Sequence, residues 1–565
     1  MPKLLLASDA PHSTKNLPRV LHVRSVFAGI AVLIACIAAF VFILTWQKVE
    51  WLESLKAIWV LWAALVAYCC IRWREQIVTL FFLFTFFLFL LGRPFVRSLE
   101  GKKWWIGGVP ATEFVLFLLF VALVSLGIGV VVFGTFIRFR SKSYSAPIIS
   151  ARRNFAISHQ VHWFEEHRES NIRLKALSSV SLVVFVVSWL ASAYLGYEKL
   201  AFMVGRSYTE YFLYFRETAP LVVRTLATFT EYALCMYLLT MPRKKSAYVV
   251  LTAYIALNIP TLIIGLRGRF IFSVIFAVIY FFLRARHESR DHWVGKFEKS
   301  ALILGIPLAM FALNAVNYIR SGKVNLAGNF FGQISDFFDK QGVSFEVLSH
   351  GYYAVNKVIQ FRNNYTFGPF VDFLTRDSYG RFFSGLEPLP GSNSQIMATQ
   401  SHSFAHALSF FQHENYLGGE GYGSSYLLEL FADYHWVGVV LGSFILALVL
   451  VAIPRLFDRG GIPGLIALCS LGSIFWMPRD SALGWLTFVV TIQFWLLVAI
   501  VYSASAIFSS ARPYLTMRSY LSYQFDVSKR MIDSAAASRL RNFRSCRQEP
   551  TKITSAKYNE GEHCA

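Results

Sequence analysis

The stretch Gly265-Leu266-Arg267-Gly268-Arg269 sets two guanidinium groups close together between two apolar runs, Tyr248–Ile264 and Phe270–Leu283. Crowded guanidinium groups repel unless an anion or a carboxylate lies between them. Their planar fork of N–H donors grips phosphate oxygens in pairs. Gly265 and Gly268 leave room for a ligand to approach the backbone. The competing reading is a topogenic arginine pair on the cytoplasmic surface, so the side of the membrane that the turn faces decides between the two. A second turn, Met477-Pro478-Arg479-Asp480-Ser481, adds another arginine. Glu429 falls in the first turn or so of an apolar helix. There it serves catalysis or substrate contact, or simply complements the helix dipole.

The elements that position these residues must be membrane helices. Of 565 residues, 55% are hydrophobic and 15% charged, mean hydropathy is +0.48, and 53 are phenylalanine. No soluble domain of this length hides that much apolar surface. The runs are continuous over about 16–25 residues, which suits helices and excludes the alternating pattern of an outer-membrane barrel. The expected fold is an all-α polytopic membrane protein. Spans are expected at 25–46, 54–71, 77–92, 113–137, 176–196, 219–241, 247–265, 270–284, 300–319, 426–453, 463–477 and 483–504, which makes about 12. The layout is a 1–24 N-terminus, helices in 25–320, one large loop at 321–425, helices in 426–504 and a basic tail at 505–565. The first apolar run lacks a small-residue cleavage site and reads as a retained helix. No cysteine falls in the long loop and no Cys/His spacing resembles a zinc site, so neither a disulfide framework nor a metal is expected.

Charge sets the orientation. Lys3, Lys15, Arg19 and Arg24 put the N-terminus in the cytoplasm, and alternation leaves both termini there. The net charge of +21 then sits mostly on cytoplasmic loops, which makes it topogenic and argues against nucleic acid as a partner. From about 508 the tail carries ten Lys/Arg against five Asp/Glu, as an arm on anionic lipids would. The loop from 321 to 435 falls outside with six basic and ten acidic residues. One exception is the 93–112 loop, where Arg93, Arg97, Lys102 and Lys103 face outward. The arginine turn, the long loop and the Arg479 turn all face outward too. Three polar features on one side point to one site. Within the loop, Phe330, Phe331, Ile334, Phe337 and Phe338 recur at helical spacing before Gly342, as in an amphipathic helix lying on the membrane or packed on the bundle.

Five stretches together resemble the Wzy family of O-antigen polysaccharide polymerases. They are Gly265-Leu266-Arg267-Gly268-Arg269, Gln341-Gly342-Val343-Ser344, Ser403-Phe404-Ala405-His406-Ala407-Leu408, Gly421-Tyr422-Gly423-Ser424-Ser425 running on to Glu429, and Met477-Pro478-Arg479-Asp480. Their order and spacing cover roughly residues 205–485, and the first 170 residues and the tail carry none of this pattern. The resemblance implies an integral-membrane glycosyltransferase of the GT-C type in the bacterial inner membrane. Such an enzyme joins undecaprenyl-pyrophosphate-linked glycans on the periplasmic side, without nucleotide sugar. A separate chain-length regulator is an open partner.

The chemistry asks for two things. A departing pyrophosphate needs positive charge where its own charge develops. Arg267, Arg269 and Arg479 supply that, with no metal or other cofactor expected. The acceptor hydroxyl needs a base. His406 is first choice because neutral imidazole is available near pH 7, Glu429 second, and His402 and His413 third. Tyr208 and Tyr211 lie in an outward loop where they stack on sugars or form an interface belt, and His402 is a further substrate contact. Two alternatives stand beside polymerisation. An O-antigen ligase passes the same donor to lipid A-core. A transporter would draw on Glu231 and the Asn258-Ile259-Pro260 break, with no internal repeat to support it.

Overall fold

The computed structural model describes residues 17–105, 107–152, 160–206, 210–211, 214–286, 293–305, 330–377 and 380–509. Every regular element among the described residues is helical, and eleven of these helices are long and apolar enough to cross a membrane. In chain order they begin with α1 (Leu17–Gln47), α2 (Trp51–Ile71), α3 (Trp73–Leu99), α4 (Val109–Arg152) and α5 (Gln160–Met203). Then come α6 (Leu221–Leu239), α7 (Lys244–Ile264), α8 (Arg267–Ala285) and α9 (296–305). The 321–425 segment holds α10 (Phe330–Gln341), α11 (Ser344–Phe361), α12 (Gly368–Arg376), α13 (Gly380–Ser384), α14 (Gln395–Gln400) and α15 (Phe404–Gln412). The chain returns through α16 (Tyr426–Arg459), α17 (Gly461–Ser470) and α18 (Ile492–Ser509). The expected span at 300–319 lies mostly outside the described residues, and α9 contains its start.

Helix α3 is the centre of the bundle. In its span, as in that of α4, 67% of the most apolar window is buried, against 22% in α1, α5 and α7, which face lipid. It is not a plain helix. One π-helical turn at Phe87–Leu91 shifts the register before Gly92–Leu99. Small residues let neighbours come close, since packing between membrane helices depends on van der Waals contact. A Cβ on Gly129 of α4 would lie 2.6 Å from the Ala447 Cβ of α16. The Asn258-Ile259-Pro260 interruption in α7 is repaired locally, with Asn258 Nδ2 donating to the Tyr254 carbonyl at 3.0 Å and Thr261 Oγ1 to the Asn258 carbonyl at 2.6 Å.

The 321–425 segment is largely helical among its described residues and packs on the bundle as a cap. One expectation changes in detail: the final span starts later than the expected 483. Gly484–Val490 folds as a 3-10 turn, and the membrane helix begins at Ile492. The side chain of Ser481 accepts from the Gly484 N–H at 3.1 Å and the Trp485 indole donates to the Ala482 carbonyl at 3.0 Å, which holds the apolar run in a tight turn.

Candidate functional site

Gly265 ends α7 in the left-handed region (φ 103°), a conformation that favours glycine, and the chain turns directly into α8. A Cβ on Gly268 would meet the Trp476 indole at 2.4 Å, so this glycine lets the indole of the 474–479 turn lie against the start of α8. Room for a ligand was the sequence expectation at Gly268, but there the indole already occupies that space. Packing of Trp476 brings the two arginine turns together. Trp476 continues the contact on its other sides, 4.4 Å from the Phe272 ring and 5.5 Å from the Phe89 ring (centroid distances).

Arg269 and Arg479 line one cavity of about 1740 Å³ with apolar walls, supplied mainly by α3, α8 and α10. Phe337, Phe338 and Gln341 of α10 close one side of it, so two of the periodic apolar residues of the long loop are wall residues. The guanidinium of Arg479 lies over Phe89, 5.8 Å from its centroid. Neither arginine forms an ion pair or hydrogen bond with any described residue, and Glu231 and Asp480 act on them only at longer range. Glu231 itself is wedged against Gly472, where a Cβ would lie 2.1 Å from its Oε1. Tyr211 also lines the cavity, stacked on Phe215 at 4.9 Å, and burial raises its phenol pKa. The backbone of Arg267 opens α8, whereas its side chain and all of Tyr208 lie outside the described residues.

The remaining positions do not line the cavity, but backbone contacts join them to it. Ser409 of α15 binds Tyr422 through both its N–H (2.8 Å) and its carbonyl (3.1 Å). Gly423 passes so close to the Arg479 turn that a Cβ would lie 3.2 Å from the Arg479 carbonyl. His406, one helical turn before Ser409, is partly buried, and burial lowers its pKa. Its Nδ1 lies 3.0 Å from the Tyr416 hydroxyl, which donates to the Ser394 carbonyl at 3.3 Å. In the tautomer whose Nδ1–H donates to Tyr416, with the phenol proton on Ser394, Nε2 keeps its lone pair.

Glu429 is 1% exposed, and both its oxygens are occupied. One accepts from the Ser424 hydroxyl at 2.8 Å and the other from the Ala482 N–H at 2.8 Å. It ties the 421–425 strip to the turn after Arg479. His402 is pinned through Nδ1 and its backbone N–H to Asp372, both at 2.8 Å. His413 lies 3.8 Å from Glu420. Among the described residues no cluster of His, Cys, Asp and Glu could hold a metal.

Sequence reasoning named Arg93 and Arg97 only as an exception to the charge rule and missed their ion pairs. Arg97 meets Asp339 at 2.5 Å, and Arg93 meets Glu346 at 2.7 Å and Asp339 at 3.3 Å. This network fastens α10 and α11 to the end of α3, and Gly342 permits it, since a Cβ there would lie 2.4 Å from the Arg93 Cβ. The available signal was the outward basic loop that broke the charge rule, set beside an acidic outward loop. Its arginines are structural partners, not topogenic markers.

The five stretches singled out in the sequence thus form one connected region around the arginine end of the cavity. No curated protein and no solved structure matches the chain. The family model for O-antigen polysaccharide polymerase Wzy matches residues 26–511, nearly the whole chain, and the chain belongs to that family.

Proposed function

We propose that this protein polymerises undecaprenyl-pyrophosphate-linked oligosaccharide repeat units into O-antigen or a related surface polysaccharide, at the periplasmic face of the bacterial inner membrane. Both termini are cytoplasmic in this reading. The observation that carries it is an apolar cavity ending at Arg269 and Arg479, two cations that no described carboxylate pairs. The prenyl chain lies along the apolar walls, the pyrophosphate sits at the two guanidinium groups, and the glycan projects past Arg479 toward the helical cap.

The acceptor hydroxyl oxygen attacks the anomeric carbon of the donor, and the bond from that carbon to the pyrophosphate oxygen breaks. The electron pair leaves with undecaprenyl pyrophosphate, whose developing charge Arg269 and Arg479 stabilise, assisted by Arg267. The hydroxyl proton passes to His406 Nε2. Glu429 contributes by fixing the strip between His406 and Arg479. Tyr208, Tyr211 and His402 shape the path of the sugars.

The test is reconstitution in nanodiscs with lipid-linked repeat units in EDTA, followed by gel or mass analysis of glycan length. A ladder attached to the carrier lipid supports the proposal. Transfer only to added lipid A-core would replace it with ligation, and absence of both products would remove glycosyl transfer altogether.

A further inference from the structure

Another cation lines the part of the cavity that carries Arg269. Lys199, in the last turns of α5, stands there with Tyr211, Thr261 and Gly265. Its place follows from how α5 meets α7. A Cβ on Gly196 would lie 3.2 Å from the Pro260 ring, so the two helices touch at the repaired interruption of α7. Beyond that contact α7 runs on to Gly265 and the arginine turn. Lys199 lies three residues beyond Gly196, on the same face of α5.

The chain after α5 folds back over this end. Glu198 accepts from both the backbone N–H and the hydroxyl of Thr218 at 2.5 Å. That contact fixes the neighbouring Glu217, whose carboxylate lies 3.3 Å from the Lys199 ammonium. Tyr211 feels both sides of the arrangement. Burial raises its pKa most, Glu217 raises it further, and Arg269 acts in the opposite sense. The pair of Lys199 and Glu217 is a single contact to a carboxylate that is 36% exposed, and such pairs are weak. It differs from the network of Arg93 and Arg97, whose contacts to two carboxylates shorten to 2.5 Å. A lysine on its flexible four-carbon stem turns readily from a weak partner to a more highly charged one within reach.

We propose that Lys199 is a further phosphate-binding residue of this site, exchanging Glu217 for a pyrophosphate oxygen of the lipid-linked donor. The inference rests on the proposed function. It also gives Glu217 a role of opposite sign, since its carboxylate competes with the ligand for one ammonium group. The test uses full-length protein in nanodiscs titrated with undecaprenyl pyrophosphate. Bound carrier is counted by native mass spectrometry, and a melting curve is recorded without carrier. Lys199→Ala is expected to weaken binding about tenfold, the size of one charge-assisted contact, and Lys199→Arg to recover most of that loss. Glu217→Gln is expected to tighten binding about threefold, because it removes only a weak competitor. A purely structural pair predicts something else: both variants melt lower, and the folded fraction of each binds as the unaltered protein does. That result would overturn the inference. Arg269→Ala separates its failure from that of the proposed function. Unchanged affinity in Lys199→Ala beside a loss in Arg269→Ala sinks the role of Lys199 alone, whereas no binding by the unaltered protein sinks both.

Discussion

Two arginine pairs sit at the same end of the bundle as α10, and they differ in what faces them. Arg93 and Arg97 are closed by Asp339 and Glu346 at 2.5–3.3 Å in the three shortest contacts, so their charge is already spent on holding α10 and α11 to α3. Arg269 and Arg479 have no such carboxylate among the described residues and open onto a cavity. Residue type therefore does not distinguish structure from function here. Under the proposed function, the distinguishing feature is whether the protein supplies the counter-charge or leaves it to a ligand.

The sharpest way to break this contrast is to remove one cation from each pair. Arg479→Ala, or Arg269→Ala, is expected to lower polymerisation about 100- to 1000-fold while membrane level and melting temperature stay near normal. That is the usual effect of removing one preorganised group that stabilises developing charge. Ladder assays beside a thermal melt read both quantities. Near-normal ladders in both variants would remove the pair from the site.

For Arg97→Asp the expectation is reversed. It should cost about 1–3 kcal/mol of stability, since partly buried charges lose their partners and meet like charge. Asp339→Arg should do the same, and the double swap should recover much of the loss. No equivalent swap exists for Arg479. If the double swap melts no higher than the single variants, the network is not what fastens the cap.

Glu429→Gln comes next in size. Two donors converge on this carboxylate, and an amide offers only one acceptor oxygen, so a loss of about 1–2 kcal/mol in thermal unfolding is expected. Ladder formation by the folded fraction should fall only a few-fold. A fall of the size expected for Arg479, with an unchanged melt, would make Glu429 the base in place of His406.

How far the sequence reaches into this site follows from the kind of interaction involved. Spans were legible because apolar length and charge bias act locally, and eleven of the twelve expected spans have a counterpart among the described helices. The arginine turns were legible as residues, but their meeting was not, since it depends on Gly268 accepting Trp476 from more than two hundred residues away. The partners of Arg93 and Arg97 also lie some 240 residues on, beyond any local pattern. Glu429 was legible in the sequence only as a carboxylate in the first turn or so of a membrane helix. Its two donors, one from the strip before its own helix and one from the turn after Arg479, became visible only in three dimensions.

The smallest effect concerns protons. Burial lowers the pKa of His406 below the usual histidine value of about 6.5. In the folded protein the imidazole is therefore still neutral where an unfolded one has begun to charge. The rate should stay level as pH falls through the ordinary histidine range and decline only below it. Stability carries the matching sign. The unfolded chain binds the proton first, so the contribution present above the unfolded pKa is lost as pH falls toward the folded one, and is constant below that. Tyr416→Phe tests whether the limb belongs to this residue. The variant removes the acceptor for Nδ1–H, which the imidazolium needs more than the neutral ring, so the acid limb should move to lower pH by about half a unit to one unit. If the limb does not move, while His406→Gln still abolishes the rate, the protonated group that stops the reaction lies elsewhere, and His406 orients the sugar without accepting its proton.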